Sequence, residues 1–408
     1  MQKNKLGGKA IDSGTYGCVF IPSLKCKNKK SRTNGVSKLM LNKHAINEIE
    51  SLKQLYQLMN AYPNMNKYMI IPKQELCNPD YLTPKDLIHF NSTCNKLYNY
   101  GFNESNIHQR INELSLLHME YGGITVDDYI KMQNSNLEYY IYKGIADVYH
   151  NVIIPMNSNG LIHSDIKDNN ILIKNNTFKL IDFGLMFNYD NTIINPSYLN
   201  HTLSLWIPFS VVFFNDDILF NWSSFFNQHK HLTKSNFISI CTMHIKNALL
   251  HHKEFHTFTK RESSLYSHLK LTCDILYPNA DFLDIISKQL AYIYYYHKNN
   301  YTGEFDILAY YNNEFIHIID IWGLCTILIS LLTNYKNSND LINFIKKYMF
   351  GAHQHPFPVN DFYKDITLLA NKYAPVTKKP ATKKPATKKH RTKKHRTKKH
   401  HTKKHHKK

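Results

Sequence analysis

The stretch from His163 to Gly184 constrains this chain most. An octet, His163-Ser164-Asp165-Ile166-Lys167-Asp168-Asn169-Asn170, places carboxylates, an amine and amides in one short loop. Two apolar runs follow, residues 171–173 and 178–181, split by Lys174-Asn175-Asn176-Thr177. That pattern predicts a β-hairpin. Directly after it stands Asp182-Phe183-Gly184. A polar loop, a hairpin and a second acidic turn within two dozen residues bring several hard oxygens and a lysine close together. In such a loop a carboxylate can accept a hydroxyl proton, a lysine can neutralise a moving phosphoryl group, and Asn and Asp oxygens suit Mg²⁺.

The rest of the chain must be large enough to hold that loop rigid. It has 408 residues, 43% apolar and 13% aromatic, enough for a sizeable core. The net charge of +20 is unevenly placed. Residues 377–408 hold 14 Lys, 2 Arg and no acid, leaving 35 basic against 31 acidic residues in the body, a net +4. This segment is a five-residue repeat (TKKPA, TKKHR and TKKHH, each twice) with no large apolar side chain, so it is expected to be disordered when free. A body this close to neutral excludes a uniformly basic nucleic-acid-binding domain. The N-terminus lacks the apolar segment of a secretory signal. The apolar run 321–332 is short for a membrane span and predicts a buried helix, so no membrane association is expected. Seven scattered Cys with no CxxC pair disfavour a zinc ribbon and fit a reducing, intracellular compartment.

Along the chain, residues 10–21 predict a hairpin, and 115–121 a strand closed by Gly122-Gly123. Ile46, Ile49, Leu52, Leu55 and Leu58 recur every three residues, as on one helix face. Residues 60–106, with four prolines, read as a long, partly irregular excursion. Helical patterns recur at 137–151, 237–250, 282–296 and 320–332. Asp320 stands where an N-cap would.

Two further motifs precede the octet. Asp12-Ser13-Gly14-Thr15-Tyr16-Gly17-Cys18-Val19 puts glycines in a hairpin turn, where backbone N–H groups can approach phosphate oxygens. Val36-Ser37-Lys38 lies on a predicted strand, and Glu48 on the following helix is a partner for its lysine, with Glu50 as a rival. Taken in order, these motifs resemble the signature of eukaryotic-type protein kinases, H-x-D-x-K-x-x-N followed by D-F-G. Leu117-His118-Met119-Glu120-Tyr121 is similar to the strand entering that family's hinge. Asp320-Ile321-Trp322-Gly323 resembles the start of its buried large-lobe helix. The glycine-loop context and long insertions look most like the divergent serine/threonine kinases of large DNA viruses.

The resemblance implies an α+β, two-lobed kinase-like fold over residues 1–376. A small lobe of antiparallel sheet plus one helix would reach to about residue 121. A mainly helical lobe would follow, with an insertion at about 189–314. It implies ATP and Mg²⁺ as cofactors and protein hydroxyls as substrates, with Lys167 pointing to serine and threonine. Asp165 would be the catalytic base, and Lys167 would stabilise the transferring group. Asn170 and Asp182 would bind the metal, and Lys38, paired with Glu48, would hold phosphates. Gly14 and Gly17 would shape the phosphate loop. Ile11, Val19 and Leu172 would sandwich the adenine, with Met119 behind it and the backbone from Glu120 to Gly122 along its edge. Asp320 would anchor the catalytic-loop backbone. His163 reads as a packed structural histidine and Cys18 as a small filler.

The chain departs from the pattern in four places. Asp12 replaces the first loop glycine, and Ser164 replaces the arginine that precedes the catalytic Asp, so phosphorylation-independent activity is expected. About 135 residues separate Gly184 from Asp320, several times the family norm. No A-P-E motif ends that segment, where Trp206-Ile207-Pro208-Phe209 is a weak substitute. Two other readings stand beside the kinase: a pseudokinase scaffold, and a nucleic-acid-associated protein acting through its tail. The tail would hold non-specific nucleic acid or an acidic partner, or act as a nuclear localisation signal. The expected location is host cytoplasm, nucleus or virion, and no oligomeric state is assigned.

Overall fold

The computed structural model describes residues 8–14, 17–29, 35–199, 205–251, 264–335 and 338–375. Thr15 and Tyr16 of the glycine turn, and the tail beyond residue 375, lie outside them. The fold is mixed α+β: an antiparallel sheet in the N-terminal region, followed by a mainly helical region.

Four strands, β1 (Lys9–Gly14), β2 (Gly17–Ile21), β3 (Val36–Leu41) and β4 (Leu114–Met119), pair in chain order. Strand alternation gives the sheet two different faces. Cys18, Phe20, Leu39, Leu114 and Leu116 are buried on one face, packed in a cluster with Leu82, Phe90, Leu97, Phe102 and Ile107. The excursion at 60–106 is therefore irregular, with only short helices, yet it supplies the apolar cover of this face. The opposite face carries Val19, Lys38 and Leu117, aligned across three strands by the register Val19↔Lys38 and Lys38↔Leu117.

Two disulfides, Cys18–Cys94 and Cys26–Cys77, tie the excursion to the sheet region, with Cα–Cα separations of 5.1 and 5.8 Å. This corrects two expectations. Cys18 is not a free filler, and a reducing compartment does not follow from the cysteine pattern. The partners are 76 and 51 residues apart in sequence, so spacing alone could not reveal them. Cys241, Cys273 and Cys325 are free and buried.

The helix expected over 45–58 is two helices, α1 (Asn42–Ser51) and α2 (Lys53–Ala61), hinged at Leu52. Leu52, Leu55 and Leu58 are buried, whereas Ile46 is exposed. A repeat of three residues drifts around a helix of 3.6 per turn, so one straight helix cannot bury all five positions.

In the helical region, Leu137–Val148 continues through a π-helical turn at Tyr149–Ile153. The predicted hairpin is β6 (Ile171–Lys174) with β7 (Thr177–Leu180), and the two-residue strand β5 (Ile124–Thr125) pairs with β6. Asn175 and Asn176 turn it with φ of +51° and +58°, the left-handed pair that a two-residue hairpin favours. Residues 237–250 and 282–296 fall within helices Lys234–His251 and Phe282–His297. These helices belong to the main hydrophobic core.

The apolar helix spans Ile316–Asn334 and is preceded by another π-helical turn, Tyr311–Phe315. Asp320 is thus inside the helix rather than at its N-cap, a further correction. The continuous stretch Ile307–Asn334 has the length and apolarity to cross a membrane, but 89% of its most apolar window is buried within the fold.

Candidate functional site

The central helix fixes the polar octet at both ends. Asp320, 1% exposed, accepts the backbone N–H groups of His163 (3.2 Å) and Ser164 (2.9 Å). Ten residues along the same helix, Ser330 Oγ donates to Asp168 Oδ2 at 2.9 Å. Between them, Gly323 lets the loop press against the helix: a Cβ there would lie 2.6 Å from the Ile166 carbonyl oxygen. Burial raises the Asp320 carboxyl above its ordinary range, and His163 with the two backbone donors pulls it back down.

His163 is fully buried, edge-to-face on Phe183 at 4.8 Å between ring centroids. Burial lowers its imidazole below 6.5, against the opposing pull of Asp320, Asp165 and Asp182. Its Nδ1 accepts from Asp165 N at 3.3 Å. A neutral ring accepting a backbone donor is a packing and positioning element. Ser164 adopts φ +62°, and its Oγ donates to the Leu185 carbonyl at 2.7 Å, tying the octet to the segment after Gly184.

The chemical groups of the octet converge on Asp165. Lys167 Nζ lies 2.8 and 2.9 Å from its two carboxylate oxygens. Asn170 Nδ2 donates to Asp165 Oδ2 at 2.8 Å and to its carbonyl at 2.9 Å. With Nδ2 so engaged, Asn170 keeps Oδ1 as an acceptor. The Asn170 carbonyl accepts from Ile181 N, which places Asp182 just beyond the hairpin. Asp182 holds φ +60°, a conformation costly for a non-glycine residue and consistent with a functional turn.

A cleft of about 580 Å³ opens between the sheet and the hairpin. Lys38 and Glu48 line it, with Lys38 Nζ 2.6 Å from Glu48 Oε2, so Glu48 rather than Glu50 is the partner. Ile11 and Val19 face the cleft from the sheet, Leu172 from the hairpin, and Met119 and Glu120 from the end of β4. Asn170 and Asp182 line its polar end. Gly122 and Gly123 let the chain pass close to the hairpin. A Cβ on Gly122 would lie 2.5 Å from Leu172 Cδ1, and Gly123 has φ +101°. The sequence-expected residues Gly14, Gly17, Asp165 and Lys167 do not line the cleft. The glycines form the last rung of the β1–β2 pair, and Asp165 reaches the cleft through Asn170.

Asp12 borders the cleft, but its Oδ1 accepts from Ser13 N at 2.7 Å, so the carboxylate is engaged by its own turn. Ile70 and Pro72 also line the cleft and were missed, because they come from the irregular excursion. A chain-order signal would have been needed to find them. The Ile70 N–H donates to the Leu180 carbonyl, a pairing no local pattern predicts. Trp206 places its ring 5.5 Å from Lys167 Nζ, and Trp322 Nε1 donates to the Leu205 carbonyl. These contacts bring the segment of the weak A-P-E substitute to the octet.

The cleft joins an apolar part to a charged and oxygen-bearing part. An apolar slot leads to a lysine–glutamate pair and two hard-oxygen residues, with a carboxylate held beside them. Among known proteins, no family model matches the chain and no curated sequence matches it.

Proposed function

We propose that this protein is a serine/threonine protein kinase on a two-lobed, kinase-like fold, transferring the γ-phosphoryl group of ATP to protein hydroxyls. One observation carries the reading. Lys38–Glu48, Asn170 and Asp182 line one cleft, and Asp165 is hydrogen-bonded to Asn170 at its edge. A structural role alone does not require five chemically matched groups, from four separate segments, around one opening.

In this reading the adenine lies between Ile11 and Val19 above and Leu172 below, with Met119 behind. A cleft of this volume suits a ligand of nucleotide size. Lys38, held by Glu48, grips phosphate oxygens as a fixed charge. Asn170 Oδ1 and the Asp182 carboxylate are the hard oxygens that fit Mg²⁺, which when bound neutralises phosphate charge. Asp165 accepts the substrate hydroxyl proton, and Asn170 and Lys167 hold its carboxylate in place. Lys167, 2.8 Å from Asp165 Oδ1, is in this reading the cation that balances charge on the transferring group.

Ser164 supports activity without a phosphorylation switch. It offers no cation to a phosphorylated loop, and its hydroxyl is already bonded to Leu185. The test is Mg²⁺-dependent transfer from γ-labelled ATP to generic serine/threonine substrates and to the protein itself, before and after phosphatase treatment. Equal transfer in the two samples is expected. Transfer abolished by phosphatase would overturn the switch-free reading, and no transfer under any condition would favour the pseudokinase.

A further inference from the structure

A second cleft, of about 560 Å³, is lined by residues none of which borders the first. Three of its residues come from distant parts of the chain. His297 ends the helix Phe282–His297, Glu314 sits in the π-helical turn before the central helix, and His355 lies in the loop after Asn339–Met349. His297 Nε2 is 2.7 Å from Glu314 Oε2, and His355 Nδ1 is 3.5 Å from the same oxygen. All three ligand atoms lie within 4.8 Å of one another.

The electrostatics are unusual for a structural ion pair. Glu314 is 7% exposed, and its ion pairs among the described residues are with these two imidazoles. Among the described residues no Lys or Arg lines the cleft. A buried carboxylate normally needs a full positive charge nearby, because desolvation is expensive. A divalent cation held by all three groups supplies that charge. Tetrahedral zinc, with bonds of about 2.0–2.1 Å, spaces its ligand atoms by about 3.3 Å, between the two distances seen here.

We propose that His297, Glu314 and His355 form a binding site for a divalent transition metal of the zinc class. Two imidazoles and a carboxylate are a donor set that zinc accepts, with the cleft giving access for a fourth ligand. His317 lines the same cleft. Stacking of His355 on Tyr296, with ring centroids 4.4 Å apart, orients its ring. The edge of His297 against Tyr310, at 4.9 Å, does the same. A metal there clamps the end of the long insertion to the turn that launches the central helix. Glu314 also borders a small apolar cavity with Pro208 and Phe209, so the clamp reaches the Trp206-Ile207-Pro208-Phe209 segment.

The test uses the full chain, whose tail histidines also take up zinc, so the readout is a difference between variants. Wild type, Glu314→Gln and His355→Ala are loaded with Zn²⁺, dialysed against a weak chelator and assayed for metal per chain. Glu314→Gln keeps a hydrogen-bond partner for His297. His355, with a side chain 33% exposed, can be truncated with little loss of core. Wild type is expected to retain one equivalent more than either variant, and Zn²⁺ to raise its thermal midpoint but not that of His355→Ala. Equal metal retention in wild type and His355→Ala, or an equal thermal shift, would overturn the site and leave a hydrogen-bonded His–Glu pair.

Discussion

Asp320 holds Ser164 by its backbone: the carboxylate accepts the Ser164 N–H at 2.9 Å, across 156 residues of sequence. It takes the His163 N–H as well, so one buried side chain sets the path by which the chain enters the octet. The neighbouring Asp165 can therefore be presented in one orientation without a flexible loop.

Asp320→Ala leaves these two buried donors without an acceptor. Each unsatisfied group costs about 1–3 kcal/mol, so a clear loss of stability is expected in urea unfolding. Phosphotransfer should fall with it, since the octet loses its anchor. A variant as stable as wild type would show that the anchor is not needed.

Lys38→Met removes the cation from the cleft, and Glu48→Gln leaves it with a neutral partner. Loss of one preorganised group at developing charge typically costs about 10²–10³-fold in rate. Lys38→Met should approach that loss, while Glu48→Gln should lose less, because Gln still accepts a hydrogen bond from Lys38. Steady-state kinetics in ATP decide the order. Equal rates for wild type and Lys38→Met would remove Lys38 from the site.

Burial holds His163, His118 and His244 below their ordinary 6.5. The unfolded chain takes up protons there that the native state refuses. Stability is then full above about pH 6.5 and lost as pH falls toward the depressed native values. Asp320 acts in the opposite sense. Its raised carboxyl keeps a proton in the native state between the ordinary carboxylate value and its own, so acidification there favours the fold. Denaturant midpoints should drop between about pH 7.5 and pH 5.5. A flat or rising profile over that window would contradict neutral, buried imidazoles.

The two disulfides make a countable prediction. Alkylating the denatured, unreduced protein should modify three thiols, those of Cys241, Cys273 and Cys325, out of seven cysteines. Reduction should then expose the other four and destabilise the fold, since a disulfide typically contributes about 2–4 kcal/mol. Seven modified thiols without reduction would show that the bridges are not formed.

Local chemistry made much of the site legible in the sequence. The hairpin at residues 171–180 announced itself through Asn175 and Asn176, whose side chains tolerate the left-handed backbone its turn requires. Lys38 and Glu48 were legible because a strand and the next helix are joined directly. Contacts made across the chain were not. Ile70 and Pro72 enter the cleft from a segment with no periodicity, and Cys18 pairs with Cys94 across 76 residues of sequence. Asp320 was placed at a helix start because the apolar run 321–332 follows it, and that run does not show that the helix begins four residues earlier, where a π-helical turn becomes an α-helix. The site at His297, Glu314 and His355 carries no local signal, since its members are spread over 59 positions.

The central claim rests on Asp165 as the base of a phosphoryl transfer. The direct measurement is the rate of Mg²⁺-dependent transfer from labelled ATP by wild type and by Asp165→Ala under the same conditions. The account predicts measurable transfer by wild type and a fall of about 10²–10⁴-fold in the variant, the usual contribution of a general base. Equal, non-zero rates would trace the activity to a contaminant. No transfer from either, to any substrate or to the protein itself, would contradict the kinase reading.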